Sequence, residues 1–217
     1  MTILSGLTIV FDLDGTLVDS VPDLLASANR VMATRGLAPF TLDEVTPMVG
    51  DGAGILVRRL LASRGQVAGP DDMQDFVRDY MAHVADATLP YPGVIETLQS
   101  LHDAGSRLAV CTNKPEAPAR AVLDALGLSG FFAALAGGDT YPVRKPDPGH
   151  LLNTIRDAGG NASRAIMVGD HHNDLAAAAG AEVPSIFASW GYGTDTGATA
   201  VATAFCDIPA IAARLLP

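Results

Sequence analysis

Short apolar runs separated by longer stretches of helical periodicity organise this chain. Leu7-Thr8-Ile9-Val10-Phe11 stops at Asp12, and similar runs recur at Arg107-Leu108-Ala109-Val110-Cys111 and Ala165-Ile166-Met167-Val168. Pro184-Ser185-Ile186-Phe187-Ala188 is a weaker fourth. Runs this short, rich in β-branched residues and bounded by Gly or Asp, predict strands buried on both faces. Between them Val94, Ile95, Leu98 and Leu101 form one helical stripe; Ala121, Val122, Ala125 and Leu126 form a second, ended by Gly127. Leu151, Leu152 and Ile155 predict a third. Strand alternating with helix implies an α/β fold built on a parallel sheet.

Residues 20–86 break that rhythm and predict helices alone. Val21, Leu24, Leu25, Ala28, Val31 and Met32 recur at i, i+3, i+4, i+7 spacing behind Pro22, a residue suited to a first helical turn. Leu56, Val57, Leu60 and Leu61 continue the pattern, as do Met73, Phe76, Val77, Tyr80, Met81 and Val84. An all-helical block between the first and second strands reads as an inserted cap, with Leu89-Pro90-Tyr91-Pro92-Gly93 as the return hinge. The expected division is a core of residues 1–18 and 87–217 and a cap of residues 19–86.

The chain has 217 residues, 48% of them hydrophobic, enough for a sizeable core. Aromatics are only 6%, so Leu, Val, Ile and Ala must fill it. With 24 acidic and 14 basic residues the net charge is −10, which argues against nucleic acid and anionic membranes as partners, since phosphate neutralisation needs clustered Lys and Arg. No apolar stretch is long enough to span a bilayer, and Met1 to Val10 lacks the basic and long apolar regions of a signal peptide, so a cytoplasmic location is expected. Cys111 and Cys206 are too few for a disulfide framework. Nothing in the patterning selects between a monomer and a homodimer.

Candidate chemistry gathers where the strands end. Asp12-Leu13-Asp14-Gly15-Thr16 follows the first strand: two carboxylates leaving a strand end can converge, repel, and favour a cation such as Mg²⁺ between them. The same residues also fit a plain strand followed by an Asp-Gly turn. Gly169-Asp170-His171-His172-Asn173-Asp174 places further acid and amide groups at another strand end, where open parallel sheets bind ligands. Asn173 or Asp174 also suits a helix cap. His171-His172 has no Cys or third His nearby, which disfavours zinc. Cys111-Thr112-Asn113-Lys114 offers a hydroxyl and backbone N–H groups for a phosphoryl oxygen. Arginine fills 12 of the 14 basic positions, and the only lysines are Lys114 and Lys145, the latter in Lys145-Pro146-Asp147-Pro148. An ammonium can balance a carboxylate and a transferring phosphoryl group, although either lysine also fits a solvated surface. His83, His102, His150 and Trp190 read as surface or packing residues.

Taken in order, Asp12-Leu13-Asp14-Gly15-Thr16, Thr112-Asn113, Lys145-Pro146 and Gly169-Asp170 through Asn173-Asp174 resemble the four motifs of the haloacid dehalogenase superfamily of phosphohydrolases, over nearly the whole chain. The resemblance implies a Rossmann-like core with helices on both faces and a helical cap. Within the superfamily, Val49-Gly50-Asp51-Gly52, Gly137-Gly138-Asp139-Thr140 and Arg144-Lys145-Pro146 look most like phosphoglycolate phosphatases. It implies a Mg²⁺-dependent phosphatase acting on a small phosphate monoester. Asp12 would be the nucleophile and Asp14 the acid and base. The metal would be held by Asp12, the Asp14 backbone carbonyl and Asp170, with Asp174 in support. Thr112, Asn113 and Lys145 would hold the phosphoryl oxygens. In the cap, Gly50 is expected at the ligand, and Arg58 and Arg59 are candidates for gripping a substrate carboxylate. His171 stands where this group usually carries Ser; it is expected to contact the metal's surroundings, through water if not directly. A sugar-phosphate phosphotransferase or mutase, another small-molecule phosphatase or pyrophosphatase, and a non-catalytic binding module are the rival readings.

Overall fold

The computed structural model describes residues 4–216. In chain order it contains β1 (Thr8–Phe11), β2 (Val18–Asp19), α1 (Val21–Thr34), α2 (Leu42–Val45), α3 (Ala53–Ser63), α4 (Asp72–Ala82), β3 (Leu89–Pro90), α5 (Val94–Asp103) and β4 (Arg107–Cys111). There follow α6 (Glu116–Ala125), β5 (Ala134–Ala136), α7 (Pro148–Asp157), β6 (Ala165–Gly169), α8 (His172–Gly180), β7 (Ser185–Ala188), β8 (Ala200–Ala202) and α9 (Ile208–Leu215). Six strands form one sheet in the order β5-β4-β1-β6-β7-β8, and every pairing is parallel. β1 is central: Phe11 pairs with Val110 on one side and Val168 on the other, so all three strands end at one edge.

Alternation along the strands sorts side chains between the two faces. Ile9 and Phe11 join Leu108 and Val110 beneath Leu98 and Leu101 of α5, Val122 of α6 and Ile208 of α9. Val10, Ala109, Cys111 and Met167 face the other way, against Leu151 and Ile155 of α7 and Ala177 and Ala178 of α8. Fully burying each large aliphatic side chain contributes about 1.5–3 kcal/mol. The predicted stripes drift by a position in places. Ile95 and Leu152 are exposed, and α6 buries Ala119, Val122 and Leu123 while Ala125 faces out.

Helices α1 to α4 form the predicted all-helical block, α1 packing on α4 and α3 on α4. Its apolar residues Leu24, Leu56, Leu60, Phe76 and Tyr80 belong to the same buried cluster as Phe11 and Leu98, so one core runs from the sheet into the block. The return segment Leu89–Pro90, expected only as a hinge, pairs antiparallel with Val18–Asp19 and makes a two-stranded neck. Asp23 in the first turn of α1 is buried and pins that neck: it accepts from the amides of Ala87 (2.9 Å) and Thr88 (2.8 Å) and from the Thr88 hydroxyl.

Candidate active site

The ends of β1, β4 and β6 deliver the predicted acidic and phosphate-facing groups to one place. Asp12 leaves β1 while its amide still bonds Val168 O (2.9 Å), and its Oδ1 accepts from the Leu13 amide (2.7 Å). The chain then turns at Gly15, whose φ is +84°. A side chain there would run into the Asp170 carboxylate, so the turn needs glycine for conformation and for space. Thr16 hydroxyl donates to Asp170 Oδ1 (2.8 Å), and the Tyr192 amide donates to Asp170 Oδ2 (2.8 Å).

Lys145 is 2% exposed and its ammonium has three acceptors for three N–H groups. They are Asp12 Oδ1 at 3.0 Å, Asp174 Oδ1 at 2.6 Å and Cys111 O at 2.6 Å. The second oxygen of Asp174 accepts from the His171 amide at 3.0 Å, so this side chain anchors both Lys145 and the start of α8. His150, read from sequence as a surface or packing residue, is fully buried beneath the same loop. Its Nδ1 meets the Lys145 amide at 3.3 Å and its Nε2 meets Gly137 O at 3.1 Å. Burial, with the Lys145 ammonium adding to it, pushes His150 down to about 4, so it stays neutral at physiological pH.

Asp12, Asp170 and Asp174 each bring a carboxylate oxygen within 4.8 Å of the others. Burial lifts the Asp12 carboxyl to about 6, Asp174 adding to the effect and Lys145 opposing it. Burial, then Asp12 and Asp174, lifts Asp170 to about 8. Three buried carboxylates against one ammonium leave excess negative charge, and an all-oxygen set fits a hard divalent cation. A cation between them would restore the ionised forms of Asp12 and Asp170.

Asp14 turns to a different partner. Its Oδ1 accepts from Ser20 Oγ (2.5 Å) and from Lys114 Nζ (3.0 Å), and Lys114 also reaches Oδ2 (3.3 Å). Lys114 is buried, its ammonium 4.4 Å from the centroid of the Tyr80 ring of α4. Burial alone would lower its pKa; Asp14 and Tyr80 outweigh that and hold it above the usual lysine range. A solvated surface position is therefore ruled out for both lysines. Asp12, Asp14, Thr112, Asn113 and Lys114 line a cavity of about 40 Å³ whose opposite wall comes from the helical block.

The block reaches this cavity through residues 49–52. Gly50 O accepts from Asn113 Nδ2 (3.1 Å) and Asn173 Nδ2 (3.4 Å), and Asp51 Oδ1 accepts from Asn173 Nδ2 (2.7 Å). A Cβ on Gly52, at φ +87°, would lie 2.7 Å from Asn113 O, so backbone meets backbone here. Arg59 pairs with Asp51 Oδ2 (2.6 Å) and donates to Met48 O (2.9 Å), bracing this loop; Arg58 is exposed. Neither arginine lines the cavity, which leaves the expected carboxylate grip without support in their positions. Asn173 and Arg59 hold the Asp51 carboxyl below the usual range against the opposing effect of burial. Asp51, His171 and His172 also lie within mutual ligand distance, but both Asp51 oxygens are taken by Asn173 and Arg59. His171 Nδ1 accepts from the Asn173 amide (3.4 Å) and caps α8, and its ring lies against Gly50.

Sequence reasoning missed several supports. Tyr192 hydroxyl donates to Asp19 Oδ1 (2.9 Å) and accepts from the Ser20 amide (2.9 Å). Trp190, another residue assigned only to surface or packing, donates its indole N–H to Thr16 O (3.1 Å). Their partners lie more than 170 positions away, and no local pattern marks them.

Residues 9–188 match the model of the haloacid dehalogenase-like hydrolases. The chain belongs to this family. It is similar to the phosphoglycolate phosphatase of Agrobacterium fabrum, 48% identical over 187 residues, or 84% of this chain and 80% of that protein. It is 42% identical over 221 residues to the phosphoglycolate phosphatase of Caulobacter vibrioides, covering 98% of this chain and 93% of the relative. Among solved structures it resembles a predicted phosphoglycolate phosphatase from Haemophilus somnus, with a TM-score of 0.88 and 30% identity over 97% of this chain and 99% of that one. No described helix of this family member is long and apolar enough to cross a membrane.

Proposed function

We propose that this hydrolase removes the phosphoryl group from a small phosphate monoester, 2-phosphoglycolate, with Mg²⁺ as cofactor. The observation that carries the reading is the cluster of Asp12, Lys145, Asp170 and Asp174, whose Asp12 also lines a small cavity. The phosphoglycolate phosphatase relatives support the substrate. We read residues 1–18 and 87–217 as the catalytic core and 19–86 as the cap; residues 1–3 and 217 lie outside the described residues.

Both contacts to Asp12 fall on Oδ1, and Oδ2 is the oxygen we assign to attack. Its attack on phosphorus forms an Asp12–phosphoryl bond while the ester P–O bond breaks, and Asp14 gives the leaving oxygen its proton. Asp14 then takes a proton from the water that attacks the same phosphorus and releases Asp12. Lys145 and Thr112 face the charge that develops on the phosphoryl oxygens, with Asn113 at the same strand end. Bound through Asp12, Asp170 and the Asp14 carbonyl, Mg²⁺ would neutralise phosphoryl charge and so favour attack by an anion.

Phosphate release from a panel of esters in Mg²⁺, including 2-phosphoglycolate, a hexose phosphate and pyrophosphate, tests the substrate. Highest kcat/KM for 2-phosphoglycolate is expected; preference for the sugar phosphate or pyrophosphate would overturn it. Isomerised sugar phosphate without released phosphate would establish a mutase instead.

A further inference from the structure

The cavity contains a cation that the phosphoryl-handling cluster does not use. Lys145 has each of its three N–H groups on an acceptor within that cluster. Lys114 stands apart from it, with only Asp14 as a charged partner, and Asp14 takes at most two of its three N–H groups. The facing wall is apolar: Leu24, Val49, Ala53, Leu56 and Phe76. Its one polar feature is Tyr80, a residue 2% exposed whose hydroxyl has no hydrogen-bond partner among the described residues. A buried hydroxyl without a partner is costly, and this one sits on the ring over which the Lys114 ammonium lies. An ammonium and an unmatched O–H donor on one side of an otherwise apolar chamber are complementary to a small anionic group.

We propose that Lys114 and Tyr80 form the subsite for the substrate's carboxylate. The inference rests on the phosphatase reading above and assigns its selectivity to one core residue and one cap residue. It also replaces Arg58 and Arg59 in that role.

The test compares 2-phosphoglycolate with 2-hydroxyethyl phosphate, an ester of the same length with a hydroxyl in place of the carboxylate, using the full chain in saturating Mg²⁺. Wild type is expected to favour the carboxylated ester in kcat/KM by about 100-fold, the scale of one or two hydrogen bonds to a charged group. In Lys114→Met that preference falls to within about threefold of unity, because the carboxylate no longer meets a cation. Tyr80→Phe removes only an oxygen and lowers the preference by about three- to tenfold. Thermal unfolding of each variant reports that the fold is kept. Equal loss on both esters in Lys114→Met, with the preference intact, overturns the proposal and leaves Lys114 as a support for Asp14. Loss of all turnover in a folded Lys114→Met does the same, and so does an undiminished preference in Tyr80→Phe. No preference in the wild type overturns the substrate reading itself.

Discussion

Replacing Lys145 by methionine separates the electrostatic account of the site from a purely steric one. Methionine is of similar length, so little volume is lost, but Asp12, Asp174 and Cys111 O all lose their common donor. Breaking a buried ion pair by removing one member costs about 3–5 kcal/mol, because the remaining charge stays buried and uncompensated. Against a total stability of about 5–15 kcal/mol for a typical protein, that is a large share. Urea unfolding followed by the fluorescence of Trp190, the single tryptophan, measures it in chelator at neutral pH. A second variant, Asp174→Asn, removes one of the stranded charges. Combined with Lys145→Met it should recover about 1–3 kcal/mol, the coupling expected of residues in direct contact. A loss below about 1 kcal/mol in Lys145→Met, or strict additivity in the pair, would refute the reasoning that charge balance holds this loop in place.

Two other outcomes follow from the same geometry. Stabilisation by Mg²⁺ should grow between pH 5.5 and pH 8, because the Asp12 and Asp170 carboxyls, raised to about 6 and about 8, keep protons that compete with the cation at low pH. In the metal-free protein those raised values mean that the folded state holds more protons than the unfolded one, so these two groups lose stability as pH rises through them. Thermal unfolding with and without Mg²⁺ at the two pH values reads the difference, and equal shifts would contradict it. Gly52→Ala puts a methyl 2.7 Å from Asn113 O at a φ of +87°. It should cost about 1–2 kcal/mol from the backbone alone and lower kcat/KM at least about tenfold by prising residues 49–52 off the core; steady-state kinetics unchanged from wild type would refute the close approach.

The strands that carry chemistry were legible because each ends in a buried apolar run cut off by a polar group: Phe11 before Asp12, Cys111 before Thr112, Val168 and Gly169 before Asp170. Strands β5 and β8 were not, since Ala134–Ala136 and Ala200–Ala202 are three residues each and rich in alanine, which carries little β signal. The helical block showed in its periodicity, whereas its neck depends on Val18–Asp19 finding Leu89–Pro90 across the whole insertion. In the site, residues named by local motif were brought together. The long-range pairings were not visible: Lys114 reaches back 100 positions to Asp14, Tyr80 comes from the opposite wall, and Tyr192 ties Asp19 and Ser20 from the far end of the chain. Arg58 and Arg59, expected at a substrate carboxylate, do not line the cavity. Charge on a helix near a site indicates a ligand grip only if the side chain is not already braced elsewhere, and Arg59 is held by Asp51 and Met48 O.

The claim that Asp12 itself receives the phosphoryl group is open to direct chemical capture. Enzyme turning over 2-phosphoglycolate in Mg²⁺ is quenched in acid, reduced with borohydride, digested and mapped by mass spectrometry. An aspartyl-phosphate at position 12 predicts homoserine in its place, dependent on substrate and absent from Asp12→Asn. Phosphate released at full rate with position 12 unmodified, or with homoserine at Asp14 or Asp170 instead, would contradict the account.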